Sequence, residues 1–121
     1  SGGKGVDVVY DPVGGDFAEP ALRATGWNGR YLVIGFASGP IPKIPLNLAL
    51  LNSRNIQGVF WGAWAGQNPR ANAQNLKEIF DFYEAGKIKP QVSASYKLED
   101  YAKAFEDLLE RRVKGKVVLT P

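Results

Sequence analysis

The sequence predicts an α/β fold built on a parallel sheet. Short apolar runs rich in β-branched residues recur at residues 6–10, 30–35 and 116–119, as in strands of a buried sheet. Segments with helical spacing alternate with them, the pattern of βαβ units. The first two runs close on glycine, at Gly14-Gly15 and at Gly35. That is how an open α/β sheet presents its carboxyl edge, where ligands bind.

Each element has its own justification. Residues 1–5 (Ser-Gly-Gly-Lys-Gly) are a flexible lead-in. The run 6–15 reads Val-Asp-Val-Val-Tyr-Asp-Pro-Val-Gly-Gly. Its nearly continuous apolar start predicts a strand buried on both faces, which Pro12 ends because it lacks an N–H. Asp16 is an N-cap candidate for a short helix to about Ala24, with Ala18, Ala21 and Leu22 toward the sheet and Pro20 in the first turn. Gly26-Trp27-Asn28-Gly29 reads as a turn, and residues 30–35 as a second buried strand. Residues 36–45 are irregular, with Pro40, Pro42 and Pro45; a helix then runs to about Ser53 with Leu46, Leu50 and Leu51 apolar. Residues 55–61 (Asn-Ile-Gln-Gly-Val-Phe-Trp) form a third strand, and its Gln57 and Gly58 suit a sheet edge.

Residues 62–68 are expected to be a loop containing Trp64. Asn68 then caps a helix from Pro69 to Ala85, whose Leu76, Ile79, Phe80 and Tyr83 share one face and whose C′ residue is Gly86. Residues 92–96 alternate like a strand. Residues 99–112 form a helix with Tyr101, Phe105, Leu108, Leu109 and Arg112 on one face, and Gly115 separates it from a last strand at 116–119.

Composition narrows the chemistry. The 121 residues are one domain's worth, and a 45% hydrophobic content allows a core. There is no Cys and no His, which excludes disulfides, the usual zinc ligand sets and His-based catalysis within this chain. No apolar run approaches the ~18 residues of a membrane span, and no signal peptide is visible. The expected location is the cytoplasm, with no membrane or nucleic-acid partner. The net charge of +3 is mild. Arg111, Arg112, Lys114 and Lys116 are better read as cations at a solvated helix end than as an anion site or a nucleic-acid surface.

No Gly-x-Gly-x-x-Gly run and no P-loop occurs. Asp7 and Asp11 have no identifiable partner, and Ser38, Ser53, Ser93 and Ser95 lack a nucleophile-elbow context. Trp27, Trp61 and Trp64 suit a core or an interface better than a stacking platform. Gly14, Gly15, Gly35 and the region of Gly62 either line one cleft or only make turns, and spacing alone favours turns. No catalytic residue and no metal ligand set emerges.

Residues 6–15, 29–39, 55–63 and 115–119 stand in an order that, with Lys87-Ile88-Lys89-Pro90 between them, resembles the zinc-independent quinone oxidoreductases. These are the zeta-crystallin-like branch of the medium-chain dehydrogenase/reductases, and the resemblance is to their C-terminal part. It implies a partial Rossmann-like, doubly wound parallel sheet followed by a strand–helix–strand. Residues 1–90 would be the C-terminal half of a nucleotide-binding domain, and residues 91–121 the segment that returns to a catalytic domain. It implies hydride transfer from NADPH to a quinone or activated alkene, in a homodimer paired through the strand at 55–61.

By position, the resemblance brings Val13, Gly14 and Gly15 under the cofactor's ribose side. It brings Ile34, Gly35, Phe36 and Ala37 beside the nicotinamide. It sets Trp61, Gly62 and Ala63 against the carboxamide through backbone, with Lys116 as a further polar contact. The family's phosphate loop, the residues that choose NADPH over NADH and its catalytic domain would all lie upstream of residue 1. The chain is therefore expected to be part of a longer protein and inactive alone. The alternative is a non-enzymatic α/β homodimerisation module.

Overall fold

The computed structural model describes residues 2–121, so Ser1 of the expected lead-in lies outside the described residues. The chain forms two compact units, residues 1–68 and 69–121.

The first unit is a three-stranded parallel sheet in the order β1 (Val6–Asp11), β2 (Thr25–Val33), β3 (Asn55–Gly58). Helix α1 (Ala18–Ala24) crosses from β1 to β2, and the single turn α2 (Asn47–Leu50) lies between β2 and β3. Right-handed crossovers bring consecutive helices to one face of such a sheet. The core forms there, from Ala18 and Leu22 of α1, Tyr31 of β2 and Leu48 of α2, with Val9, Val33 and Ile44 packed against it. Val6, Val8 and Tyr10 alternate with Val9 and are exposed. The expected burial of β1 on both faces is therefore not met among the described residues, because helices cover one face of this sheet only.

Five other local expectations change in this unit. The turn expected at residues 26–29 lies inside β2, as an irregularity between the pairs Val6–Thr25 and Val8–Arg30. Asp16 does not cap α1: a 3₁₀ turn over Gly15–Phe17 leads into the helix, with Gly14 at its N-cap. The expected helix to Ser53 is cut to α2, and its inward residue is Leu48 rather than Leu46, Leu50 or Leu51. At about 100° per residue, positions 46 and 50 point away from 48. Strand β3 sits at the sheet edge as expected but stops at Gly58. Trp61 instead opens α3 (Trp61–Gln67), where a loop was expected. Two glycines in Trp-Gly-Ala-Trp-Ala-Gly-Gln hide a helix that Trp64 N–H→Phe60 O (3.1 Å) and Asn68 N–H→Trp64 O (2.9 Å) nonetheless close.

Arg54, just before β3, fastens the amino edge of this sheet. Its Nε donates to Thr25 O (2.7 Å), Nη1 to Leu48 O (2.9 Å) and Nη2 to Arg23 O (3.0 Å). Two of these carbonyls belong to α1 and α2, so one guanidinium satisfies groups at both helix ends.

The second unit holds α4 (Pro69–Glu84) and a parallel pair, β4 (Val92–Lys97) and β5 (Lys116–Thr120), joined through α5 (Tyr101–Leu109). Asn68 does not cap α4 through its side chain; its amide donates to Trp64 O (2.9 Å). Gly86 ends α4 as expected, with Gly86 N–H→Tyr83 O and Lys87 N–H→Phe82 O both 2.9 Å. The stripe Leu76, Ile79, Phe80, Tyr83 is exposed, as are Tyr101, Phe105, Leu108 and Leu109; in α5 it is Ala104 that is buried. The helix expected over 99–112 is shorter at both ends. Leu98–Asp100 is a 3₁₀ turn, and Arg111 adopts φ 55° while Arg112 N–H returns to Asp107 O (2.9 Å). Gly115 does not end α5 directly. It lets the strands meet: a Cβ there would stand 2.3 Å from Gln91 O.

Candidate functional site at the carboxyl edge of the first sheet

The ends of β1 and β2 carry two loops tied together by one residue. Asp11 is only 8% exposed. Its Oδ1 accepts from Val13 N–H (2.8 Å) and Gly14 N–H (2.9 Å), an Asx turn around Pro12. Its Oδ2 accepts from the Tyr31 hydroxyl. Its backbone carbonyl accepts from Ile34 N–H (2.9 Å) and Gly35 N–H (3.3 Å). The second loop returns the contact, with Ala37 N–H→Pro12 O and Ser38 N–H→Val13 O both 3.0 Å and Ser38 Oγ→Val13 O 2.9 Å.

Electrostatics follow from that geometry. Burial pushes the Asp11 carboxyl up, but the Tyr31 hydroxyl and the amides of Gly14 and Val13 outweigh it and hold it below its ordinary value. Burial, then the hydrogen bond and charge of Asp11, push the Tyr31 phenol far above its own. Asp11 therefore stays ionised with both oxygens engaged, so it is not placed to act as a general base.

Gly14 is set against the second loop. Its φ of 67° and ψ of −146° favour glycine, and a Cβ would stand 2.8 Å from the Phe36 ring. Beside this junction the edge opens into a hollow of about 300 Å³ lined by Val33, Ile34, Gly35, Phe36, Gly58, Val59 and Phe60. None of these carries a charge. Among the described residues no group of acidic, His or Cys side chains is arranged to hold a metal ion.

Gly14 is thus brought against Gly35 and Phe36, Val13 and Gly15 against Ser38, and Ala37 against Pro12, and Ile34 to Phe36 reach the hollow. Trp61, Gly62 and Ala63 form the opening turn of α3 immediately after Phe60, where helical N–H groups lack partners within the helix. Lys116 lies in the second unit, and its N–H donates to Gln91 O (2.8 Å) at the start of β5. Sequence reasoning left Asp11 without a partner. Asp-Pro-x-Gly carries the Asx-turn signal, but nothing local announces Tyr31, twenty residues on. Gly58 and Phe60 were also missed as lining residues.

A parallel α/β sheet with helical crossovers and loops of this kind at its carboxyl edge defines a Rossmann-like architecture. The zinc-binding dehydrogenase family matches residues 1–119, and the chain belongs to it. The chain is 37% identical to quinone oxidoreductase-like protein 2 of Bos taurus over 119 residues, 98% of this chain and 34% of that protein. Its fold matches the mycobacterial protein Rv1454c complexed with NADPH at a TM-score of 0.86 and 29% identity, covering 99% of this chain and 37% of the other. It matches the Escherichia coli quinone oxidoreductase complexed with NADPH at 0.80 and 30%, with the same coverage. The chain spans about a third of the length of the relatives it matches.

Proposed function

We propose that this chain is the C-terminal part of an NADPH-dependent quinone oxidoreductase and forms one wall of its cofactor site. The observation that carries the reading is the uncharged hollow beside two loops fastened together at the carboxyl edge. A surface of backbone, Val33 and Phe36 suits the nicotinamide and its ribose; it does not suit the phosphates, which need clustered N–H donors or cations. NADPH complexes of two similar proteins support the same cofactor here. In this reading residues 13–15 meet the ribose side, residues 34–37 flank the nicotinamide, and Trp61, Gly62 and Ala63 offer backbone to the carboxamide. Bound NADPH supplies the hydride, and a quinone or activated alkene accepts it.

The same reading divides the chain at residue 90, with residues 91–121 returning to a catalytic domain, and makes the protein zinc-independent and cytoplasmic. It leaves the isolated chain inactive. The test is titration of the complete protein with NADPH by fluorescence, followed by NADPH oxidation with a quinone. Saturable binding and quinone-dependent turnover are expected in the complete protein, with no turnover by residues 1–121 alone. Absence of NADPH binding by the complete protein would overturn the reading.

One further observation favours homodimerisation, as part of the enzyme or as a module's sole role: β3 is an exposed edge, a template for a second strand. Val59 N–H is already used, donating to Val33 O (2.9 Å). Alternation along the strand then turns the N–H groups of Ile56 and Gly58 outward, so Ile56→Pro is the substitution expected to weaken pairing. Trp61 stands outside this strand.

A further inference from the structure

We propose that Asp11 is a positioning residue for the nicotinamide-nucleotide end of the cofactor, acting by fixing one loop against the other; this rests on the reading above. A carboxylate that only shaped a turn would cap the two amides of that turn and stay in solvent. Asp11 does more. One oxygen holds the amides of Val13 and Gly14, the other is locked by Tyr31 from the core, and its carbonyl receives Ile34 and Gly35 of the second loop. The turn of the first loop and the start of the second therefore both refer to this one residue, and Pro12 and Val13, inside the turn its carboxylate closes, receive Ala37 and Ser38. Gly35 and Phe36, which line the hollow, follow directly on these bonds.

The setting leaves little slack. A Cβ at Gly35 would stand 3.4 Å from Pro12 O, and one at Gly15 would meet the Ser38 hydroxyl. If the first loop relaxes, the second loses its partners at Pro12 and Val13 and the hollow changes shape. Displacements of about 1 Å around a bound reactant change rates and affinities by about tenfold to a hundredfold.

The test compares Asp11→Ala and Asp11→Asn with the parent, all as the complete protein, well below their melting temperatures. Asn keeps an oxygen for the amides of Val13 and Gly14, whereas Ala keeps nothing. Two readouts are taken: the Kd for NADPH, and hydrogen exchange of residues 12–15 and 35–38 without cofactor. Asp11→Ala is expected to raise Kd about tenfold or more and to speed exchange in both loops, with Asp11→Asn restoring most of both. Arg54→Ala, which unfastens the amino edge and touches neither loop, is expected to lower the melting temperature with Kd unchanged. An unchanged Kd in Asp11→Ala, or an Asp11→Asn protein as impaired as Asp11→Ala, overturns the proposal. So does an Arg54→Ala protein whose Kd rises equally. If Asp11→Ala does not fold, Tyr31→Phe replaces it, with faster loop exchange and a raised Kd expected and no change in either overturning the proposal. Failure of the parent itself to bind NADPH overturns both the reading of function and this inference, which separates that case from the others.

Discussion

At each edge of the first sheet one charged side chain gathers partners from the chain around it, and neither of the two is paired with an opposite charge. At the carboxyl edge Asp11 is surrounded by N–H and O–H donors; at the amino edge Arg54 is surrounded by backbone carbonyls. The amide donors around Asp11 belong to loops, whose backbone is not committed to a helix or a ladder. The carbonyls around Arg54 include those of helix ends, which have no other partner in the helix. The cation thus ties two helix ends together beside a hollow of about 370 Å³ that Lys4, Arg23 and Asn52 also line. The anion instead shapes loops around a hollow whose lining carries no charge. The difference between the edges is the charge of the lining, not the presence of a hollow.

Removing each charge is the strongest way to break the comparison. Asp11→Ala is expected to cost about 3 kcal/mol, because it strands the Tyr31 hydroxyl and two loop amides. Urea unfolding of the complete protein reads this. The sign of its pH dependence follows from the lowered carboxyl: the unfolded value is near 3.8 and the folded one lies below it. The stabilisation is complete above that value and is lost as pH falls through the folded one. The gap between parent and Asp11→Ala should therefore narrow below pH 3.8.

Arg54→Ala is expected to cost about 2 kcal/mol, less than Asp11→Ala because half-exposed carbonyls regain water. Arg54→Lys should recover less than half of that, since one ammonium cannot reproduce a fork aimed at three carbonyls. Full recovery by Lys in thermal unfolding would show that charge alone, not the fork, holds the amino edge. The smallest effect is expected at Arg23, whose side chain pairs with Glu19 (2.7 Å) on exposed helix surface while its carbonyl serves Arg54. Arg23→Ala should shift stability by less than about 0.5 kcal/mol. A larger loss would mean that the side chain also supports the edge.

Sequence reading reached what depends on neighbours and periodicity. It found β1, β2, β4, β5 and α4 from apolar spacing, and the edge position of β3 from Gln57 and Gly58. It missed what depends on contacts made across the fold. The tie from Asp11 to Tyr31 is invisible before β1 and β2 pair. Leu48 turns inward onto Ala18, Leu22 and Tyr31, residues that meet only once α1 and β2 are in place. At α5 the chain stops with a non-glycine residue, Arg111, in the left-handed region, so the usual glycine mark stood four positions late, at Gly115. Of the candidate site, the glycines and the two loops were legible, but the residue that joins them was not.

The strand pairing described above also sets an order of events. Every ladder is parallel, with Val8 opposite Arg30, Arg30 opposite Asn55 and Val92 opposite Lys116. Among the described residues no strand finds its partner through a tight hairpin. During synthesis β1 and β2 can pair only after α1 and the second half of β2 have left the ribosome, and β3 can add only to a finished β2. Arg54 emerges immediately before β3, and its three carbonyl partners are already present by then. The clasp on the amino edge therefore comes within reach at the moment the last strand of this sheet arrives.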